Sequence, residues 1–156
     1  MSVTHESMMA LTADMPMQEI NSNGKVYLQR YLAHMLPDGT QVWYHRFLRN
    51  DSEPHLHSHP WEAESKILLG GYSESRQEVG GRVLIIYTYK AGDTNLIQME
   101  TVHRIVEVAK DTWTQMIVKP DRTINWHFIE DNGAETEMST YLCEWHSECK
   151  KRGYYA

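Results

Sequence analysis

Short β-strand patterns separated by turn signals run through most of this chain of 156 residues. Segments rich in β-branched and aromatic residues recur at a spacing of about eight to twelve residues, which is typical of antiparallel all-β folds. The most strand-like segment, residues 82–90, reads Arg-Val-Leu-Ile-Ile-Tyr-Thr-Tyr-Lys, and the turn residue Gly92 follows it. Because no helical pattern interrupts the strands, the sequence predicts an antiparallel β-sandwich or β-barrel.

The two ends of the chain depart from the strand pattern. Residues 1–24 alternate between methionine-rich and polar stretches, and we expect an N-terminal arm with one short helix. Near the other end, apolar residues lie at helical spacing, and Gly153 follows them as a stop signal. The sequence therefore predicts three parts: the arm (1–24), the β-barrel (25–138) and a C-terminal helix and tail (139–156).

Composition and charge narrow the classes of function. The formal net charge is −6, and no lysine and arginine residues form a stripe, so binding to nucleic acid is not expected. The first residues do not form a signal-peptide pattern, and no segment approaches the roughly 18 apolar residues that cross a bilayer. Cys143 and Cys149 lie on different faces of the predicted helix and do not form a disulfide with each other there. We expect a cytoplasmic protein with free thiols and without a membrane partner.

Three histidines alternate over five residues, at His55, His57 and His59, and a glutamate follows at Glu64. Alternate side chains of a β-strand point to the same face, so two of these imidazoles can approach one point. Imidazole is the commonest metal ligand in proteins and binds iron, zinc, copper and nickel. A third ligand must come from another strand, and His103 is the candidate. A chance surface cluster of histidines remains an alternative to a metal site.

The spacing around these histidines resembles the first sequence motif of the cupin superfamily, G-x5-H-x-H-x(3,4)-E-x6-G. His57, His59, Glu64 and Gly71 reproduce everything after the opening glycine, where this chain has Asp51. Cupins are small double-stranded β-helix barrels with jelly-roll topology. The resemblance therefore implies an all-β jelly-roll barrel, to which the tail predicted here adds a C-terminal α-helix.

The second cupin motif, G-x5-P-x-G-x2-H-x3-N, is matched in part. Gly92 and His103 lie at its offsets, and Glu107 takes the place of its asparagine, while its proline and second glycine are replaced. The match covers about residues 41–120. The segment Leu69–Glu74, read together with the histidine motif, is also similar to small bacterial and phage cupin-like proteins whose role is largely unassigned.

The predicted metal ligands are three imidazoles and one possible carboxylate: His57, His59, His103 and Glu64. A second register also alternates correctly. In that register His55 and His57 bind the metal, and Glu62 takes the place of Glu64. We leave this alternative open, as well as a cupin that has lost its metal.

Strand alternation also predicts which neighbours of the ligands face the interior. If His57 and His59 point inward, Glu64 and Lys66 follow on the same face, and an inward lysine requires a partner or an anionic substrate. If His103 points inward, Glu107 does too. We therefore predict Glu64, Glu107 and Lys66 as catalytic residues, with either glutamate as a general base.

Three neutral histidines around a divalent metal leave coordination positions for a substrate. The first hypothesis is a non-haem iron(II) oxygenase or dioxygenase that acts on a small polar organic molecule. The second is a non-redox isomerase, lyase or hydrolase that uses zinc, manganese or nickel as a Lewis acid. The third is a small-ligand-binding cupin without turnover. A homodimer formed through a sheet edge is expected in each case, because unpaired strands tend to associate.

Overall fold

The structure is a computed structural model that describes residues 2–22, 24–50, 56–57, 59, 61–77, 83–99, 101–120, 127–129 and 135–137. The described part holds one helix, α1 (His5–Thr12). Its twelve strands are β1 (Met17–Ser22), β2 (Lys25–Met35), β3 (Gln41–Phe47), β4 (Leu56–His57), β5 (Ala63–Leu69), β6 (Gly71–Gln77), β7 (Leu84–Lys90), β8 (Thr94–Ile97), β9 (Val102–Val108), β10 (Trp113–Val118), β11 (His127–Ile129) and β12 (Glu135–Glu137).

The strands form two six-stranded sheets. The first sheet has the order β1-β2-β3-β10-β5-β8, and the second has the order β12-β11-β4-β9-β6-β7. All pairings among the described strands are antiparallel. From β8 to β11 successive strands alternate between the two sheets, so strands close in sequence come to lie on facing sheets. The predicted antiparallel β-sandwich is confirmed.

The inner faces of the two sheets enclose the hydrophobic core. One cluster surrounds Trp43, which is fully buried, together with Leu32 and Met116 on the flanking strands. A second cluster joins Phe47 on the first sheet to Ile105 on the second. Burial of apolar surface contributes about 25 cal/mol per Å², so these side chains hold the two sheets together.

Alternation along β3 settles which of its faces lines the interior. Trp43, His45 and Phe47 are buried, whereas Tyr44 and Arg46 lie on the outer face. The sequence left this choice open, because both faces of the strand carry aromatic side chains.

The N-terminal segment covers the outer face of the first sheet. Helix α1 begins with a capping box. The Thr4 side chain accepts a hydrogen bond from the Ser7 backbone N–H, and the Ser7 hydroxyl accepts one from the Thr4 backbone N–H. Met8 of this helix packs against Tyr31 and Trp113. The expected short helix is therefore present, and β1 behind it pairs with β2.

Strand β7 is the last described strand of the second sheet and presents apolar side chains to solvent. Leu84, Ile85 and Ile86 are all exposed, and so is Val83 before them. The homodimer expected from the sequence remains a prediction. The predicted C-terminal helix lies outside the described residues. Within the described part, no helix is long and apolar enough to cross a membrane.

Candidate metal centre

Strands β4 and β9 bring the two histidine segments together. The two strands are neighbours in the second sheet, and His57 is the cross-strand partner of His103. The backbone therefore places the first motif directly beside the second, although 46 positions separate the two residues in the sequence numbering (103 − 57). The side chain of His57 lies outside the described part of the structure.

The imidazoles of His59 and His103 converge on one point. Their Nε2 atoms are 2.9 Å apart, and their rings meet edge to face with a centroid distance of 5.2 Å. Two nitrogens that each lie about 2.1 Å from one ion are separated by about 3.0 to 3.4 Å for bond angles between 90° and tetrahedral. The observed spacing is therefore close to that of two ligands of a single metal.

Each ring of the pair is held by a neighbour. His59 stacks on Trp61 with a centroid distance of 4.1 Å and an interplanar angle of 15°. His103 is buried, and its Nδ1 lies 2.7 Å from Oε2 of Glu74. Since an ionised carboxylate only accepts hydrogen bonds, Nδ1 of His103 must donate to Glu74, and the opposite nitrogen, Nε2, then faces His59.

Glu74 is fully buried and ionised. Burial alone raises the pKa of this carboxyl, but the hydrogen bond and charge of His103 and the charge of Arg76 together hold the pKa below its ordinary value. Nη2 of Arg76 lies 2.8 Å from Oε1 of Glu74, and the Tyr89 hydroxyl donates to the same oxygen at 3.4 Å. The carboxylate therefore has partners for both oxygens.

The network continues from the second sheet to the first. Nη2 of Arg76 also donates to Oδ1 of Asn95 at 2.7 Å, and Nδ2 of Asn95 donates to the Tyr72 hydroxyl at 2.9 Å. Burial, followed by the charge of Glu74, raises the pKa of Tyr72 to about 12. Tyr72 therefore keeps its proton at neutral pH and can donate a hydrogen bond.

A cavity of about 100 Å³ lies between the two sheets, next to the histidine pair. His59, His103 and Tyr72 line it on the side of the second sheet, and Arg30 and His45 line it from the first. Most of the remaining described lining residues are apolar. The site is thus a small, mostly apolar chamber with a few polar groups, which is the usual form of a small-molecule site.

Solved structures with the same architecture exist. An RmlC-like cupin protein from Ralstonia eutropha JMP134 superposes with a TM-score of 0.57 at 16% identity, covering 90% of this chain and 85% of that one. The chain has a cupin fold. The resemblance seen in the sequence motifs is therefore confirmed at the level of the fold.

Two further structures share this cupin fold. KdgF from Halomonas sp. matches with a TM-score of 0.53 at 16% identity, over 70% of this chain and 92% of that one. Fe(II)-HppE with an alternative substrate, (S)-1-HPP, matches with a TM-score of 0.55 at 9% identity over 69% of this chain, which spans only 57% of that protein. No protein-family model matches the sequence, and the comparison with curated proteins found no match either.

Glu64 and Lys66 do not face the interior of the cupin fold, so the predicted orientation is wrong. Both are exposed, whereas Ala63, Ser65 and Ile67, which alternate with them, are buried. The alternation of the histidine segment does not continue into β5, because this strand begins only at Ala63. Their predicted roles, Glu64 as a ligand and both residues in catalysis, thus receive no support from their positions.

Glu107 is exposed as well, and a β-bulge explains why. His103 and Ile105 are buried, as predicted. On β6, Glu74 pairs with Ile105 of β9, whereas the preceding residue, Ser73, pairs with Glu107. Val106 is therefore an extra residue in β9. An extra residue reverses the alternation beyond it, which turns Glu107 outward.

The alternative register with His55 and Glu62 is not supported by the position of Glu62. Its carboxylate lies 3.5 Å from Nζ of Lys119 in a solvent-exposed ion pair. His55 lies outside the described residues, as do Cys143 and Cys149.

Among the side chains that the structure describes, no three His, Cys, Asp or Glu residues are grouped to hold a metal ion. The described part of the site is the pair of His59 and His103, and the third predicted ligand, His57, is represented by its backbone alone. The donor types and the spacing of this pair fit a divalent metal. The sequence analysis missed Glu74, Arg76 and Tyr72, although their alternating positions in β6 place them on one face.

Proposed function

We propose that this protein is a metal-dependent cupin enzyme that acts on a small polar organic molecule in the cavity between the sheets. His59 and His103 hold the metal, with His57 as the predicted third ligand. The observation that carries the proposal is the 2.9 Å separation of the two Nε2 atoms. The contact between His103 and the buried Glu74 supports it, because carboxylates commonly orient metal-binding histidines in this way.

A divalent metal bound at these nitrogens supplies Lewis-acid activation and, as iron(II), oxidation chemistry. The protein's own groups bind and orient the substrate. The lining of the cavity is mostly apolar, and Tyr72 offers a hydrogen-bond donor that stays protonated at neutral pH because its pKa is about 12. Iron(II) is the metal we propose first, with an oxygenase as the reaction class, and the fold shared with Fe(II)-HppE supports this choice.

A non-redox reaction is the second candidate. The Tyr72 hydroxyl lines the cavity, accepts a hydrogen bond from Asn95 and lies beside Ser65, and a substrate oxygen in the cavity is a further acceptor for its proton. A fixed hydrogen-bond donor in this position can stabilise negative charge that develops on a substrate oxygen, which suits a lyase or an isomerase. A structure of DMSP lyases has the same fold, with a TM-score of 0.56 at 11% identity, and supports this candidate.

Elemental analysis of protein purified without added metal tests the metal site. We expect about one metal ion per chain in the unmodified protein, and a loss of most of this metal in His59→Ala and His103→Ala. His34 is exposed on β2, so His34→Ala is a matched control that should keep the metal. Retention of the metal by His103→Ala, or a metal-free protein after reconstitution with iron(II), would contradict the proposal.

Oxygen consumption separates the two reaction classes. Once a substrate is identified, an oxygenase consumes dioxygen in an iron(II)-dependent manner, whereas a lyase or isomerase converts the substrate at the same rate without oxygen. Turnover at full rate under anaerobic conditions would exclude the oxygenase.

A further inference from the structure

A chain of buried hydrogen bonds crosses from the second sheet to the first beside the cavity. Arg76 and Tyr72 belong to β6 in the second sheet, and Asn95 belongs to β8 in the first. Asn95 is only 1% exposed, and its amide lies 2.7 Å from Nη2 of Arg76 and 2.9 Å from the Tyr72 hydroxyl. Tyr72 lines the cavity, whereas Asn95 is not among its described lining residues. Asn95 therefore acts on a ligand in the cavity through Tyr72.

Arg76 sets the direction of the hydrogen bonds in this chain. A guanidinium group has donors only, so the amide atom that faces Arg76 must be the acceptor oxygen, Oδ1 of Asn95. The amide nitrogen, Nδ2, then faces Tyr72 and must donate, because an amide nitrogen has no acceptor capacity. The Tyr72 oxygen is consequently the acceptor in this contact, and its own proton points to another group.

Ser65 is the other polar neighbour of the Tyr72 hydroxyl. It is the cross-strand partner of Asn95 and is buried, and it also lines the cavity. Its side chain forms a hydrogen bond with that of Tyr72. The two hydroxyl groups carry two protons, and the bond between them uses one. Since Asn95 donates to Tyr72, the second proton has no acceptor among these three side chains and is left for a group in the cavity.

We infer that Asn95 is a positioning residue that directs this proton into the cavity. A carboxylate at the same place would accept the proton, whereas the amide presents its N–H to Tyr72 because Arg76 engages its oxygen. The ligand is therefore a small molecule that presents to Tyr72 an acceptor without a proton of its own, such as a carbonyl oxygen. Naming this ligand as the substrate rests on the proposed function, whereas the direction of the hydrogen bonds does not.

Ketone binding by metal-free protein tests the inference, with cyclopentanone as the probe and cyclopentane, which lacks the oxygen, as the matched control ligand. Both are small enough for a cavity of about 100 Å³, and NMR titration measures their affinities. Asn95→Asp should weaken cyclopentanone binding by about tenfold, the effect of one lost hydrogen bond, and leave cyclopentane binding unchanged. Asn21→Asp adds the same charge at an exposed position of β1 and should bind cyclopentanone as the unmodified protein does.

A double-mutant cycle separates positioning from a structural effect. Tyr72→Phe removes the hydroxyl and should weaken cyclopentanone binding by a similar factor. Asn95→Asp should then have little further effect in the Tyr72→Phe protein, because both changes act on the same hydrogen bond. Metal affinity is a second readout. Asn95→Asp should not weaken metal binding, because the contact between Glu74 and His103 does not pass through Asn95.

Circular dichroism and thermal unfolding establish whether Asn95→Asp is folded, and Asn95→Leu, which frees the Tyr72 hydroxyl to rotate, provides a second variant of similar size if it is not. Equal affinities for cyclopentanone and cyclopentane, unchanged ketone binding in the folded Asn95 variants, or an undiminished effect of Asn95→Asp in the Tyr72→Phe protein overturns the inference. A protein that shows the expected ketone binding but holds no metal contradicts the proposed function alone. One that holds metal but binds the ketone independently of Asn95 contradicts this inference alone.

Discussion

At the scale of single residues, the candidate site depends on a carboxylate that does not reach the cavity. Glu74 is absent from the lining of the cavity, but it fixes the ring orientation of His103 through the 2.7 Å contact to Nδ1. Such an orienting contact raises the basicity of the opposite nitrogen and prevents rotation of the ring. The strength of metal binding should therefore depend on a residue that cannot itself be a ligand.

Replacement of Glu74 by glutamine should weaken metal binding by about 10- to 100-fold without unfolding the protein. Glutamine has nearly the same size and can still accept from Nδ1 of His103, but it carries no charge. Competition with a coloured chelator measures the affinity. Glu107→Gln on the exposed face of β9 is the matched control and should leave the affinity unchanged. Equal affinities of the two variants would show that Glu74 has only a structural role.

The sequence identified the histidines of the site more successfully than their supporting residues. His59 and His103 could be selected from the sequence because metal sites require particular side chains at particular spacings, and their role as metal ligands stays a prediction. Glu74 became visible only with the pairing of β6 and β9, whose register includes a bulge. The choice of Glu64 and Glu107 from the sequence assumed strict alternation of side chains. A loop before β5 interrupts the alternation ahead of Glu64, and the bulge in β9 interrupts it ahead of Glu107.

At the scale of elements, the strands could be predicted well, because turn residues bound them on both sides. The most strand-like segment of the sequence, residues 82–90, corresponds to β7 (Leu84–Lys90). The pairing order could not be predicted, since β10 inserts between β3 and β5 and joins strands from distant parts of the chain. Side-chain alternation gives the face of each residue but not the partner of each strand.

The corner between β5 and β6 offers a test of this packing. A Cβ atom at Gly71 would overlap the carbonyl oxygen of Tyr89 and press on the Cα of Lys90. Because both are backbone atoms of the adjacent strand β7, they cannot move aside independently. Gly71→Ala should therefore lower the free energy of unfolding by about 1 to 3 kcal/mol.

Urea unfolding followed by tryptophan fluorescence measures this loss at Gly71. Gln98→Ala, an exposed change in the loop after β8, should stay within about 0.5 kcal/mol of the unmodified protein. A midpoint for Gly71→Ala equal to that of the Gln98 variant would show that the two strands can separate at low cost.

At the scale of the whole molecule, the cavity exists only because two sheets face each other. The histidine pair lines the cavity on the side of the second sheet, and Arg30 and His45 line it from the first. The sequence did not predict that these two groups face each other, because it left open which face of β3 points inward. Arg30 and His45 are buried within the sandwich, and unfolding returns both side chains to water. Their surroundings in the folded protein therefore affect the free energy of unfolding.

His45 makes this link measurable through pH. Its folded-state pKa lies well below the ordinary value of 6.5, owing to burial and then to Arg30. Above pH 6.5 the ring is neutral in both states, and the protein has its full stability. As the pH falls below 6.5, the unfolded chain takes up a proton that the folded protein does not bind. The free energy of unfolding should therefore decrease, by up to about 1.4 kcal/mol per pH unit, until the folded-state pKa is reached.

Urea unfolding of metal-free protein between pH 5 and pH 8 tests this prediction when the unmodified chain is compared with His45→Gln. The other eight of the nine histidines are common to both proteins, so the difference between the two pH profiles isolates His45. We expect the unmodified protein to lose more stability than the variant between pH 6.5 and pH 5. Parallel profiles would mean that His45 titrates in the folded protein as it does in water. The ring would then be accessible to solvent instead of enclosed between the sheets.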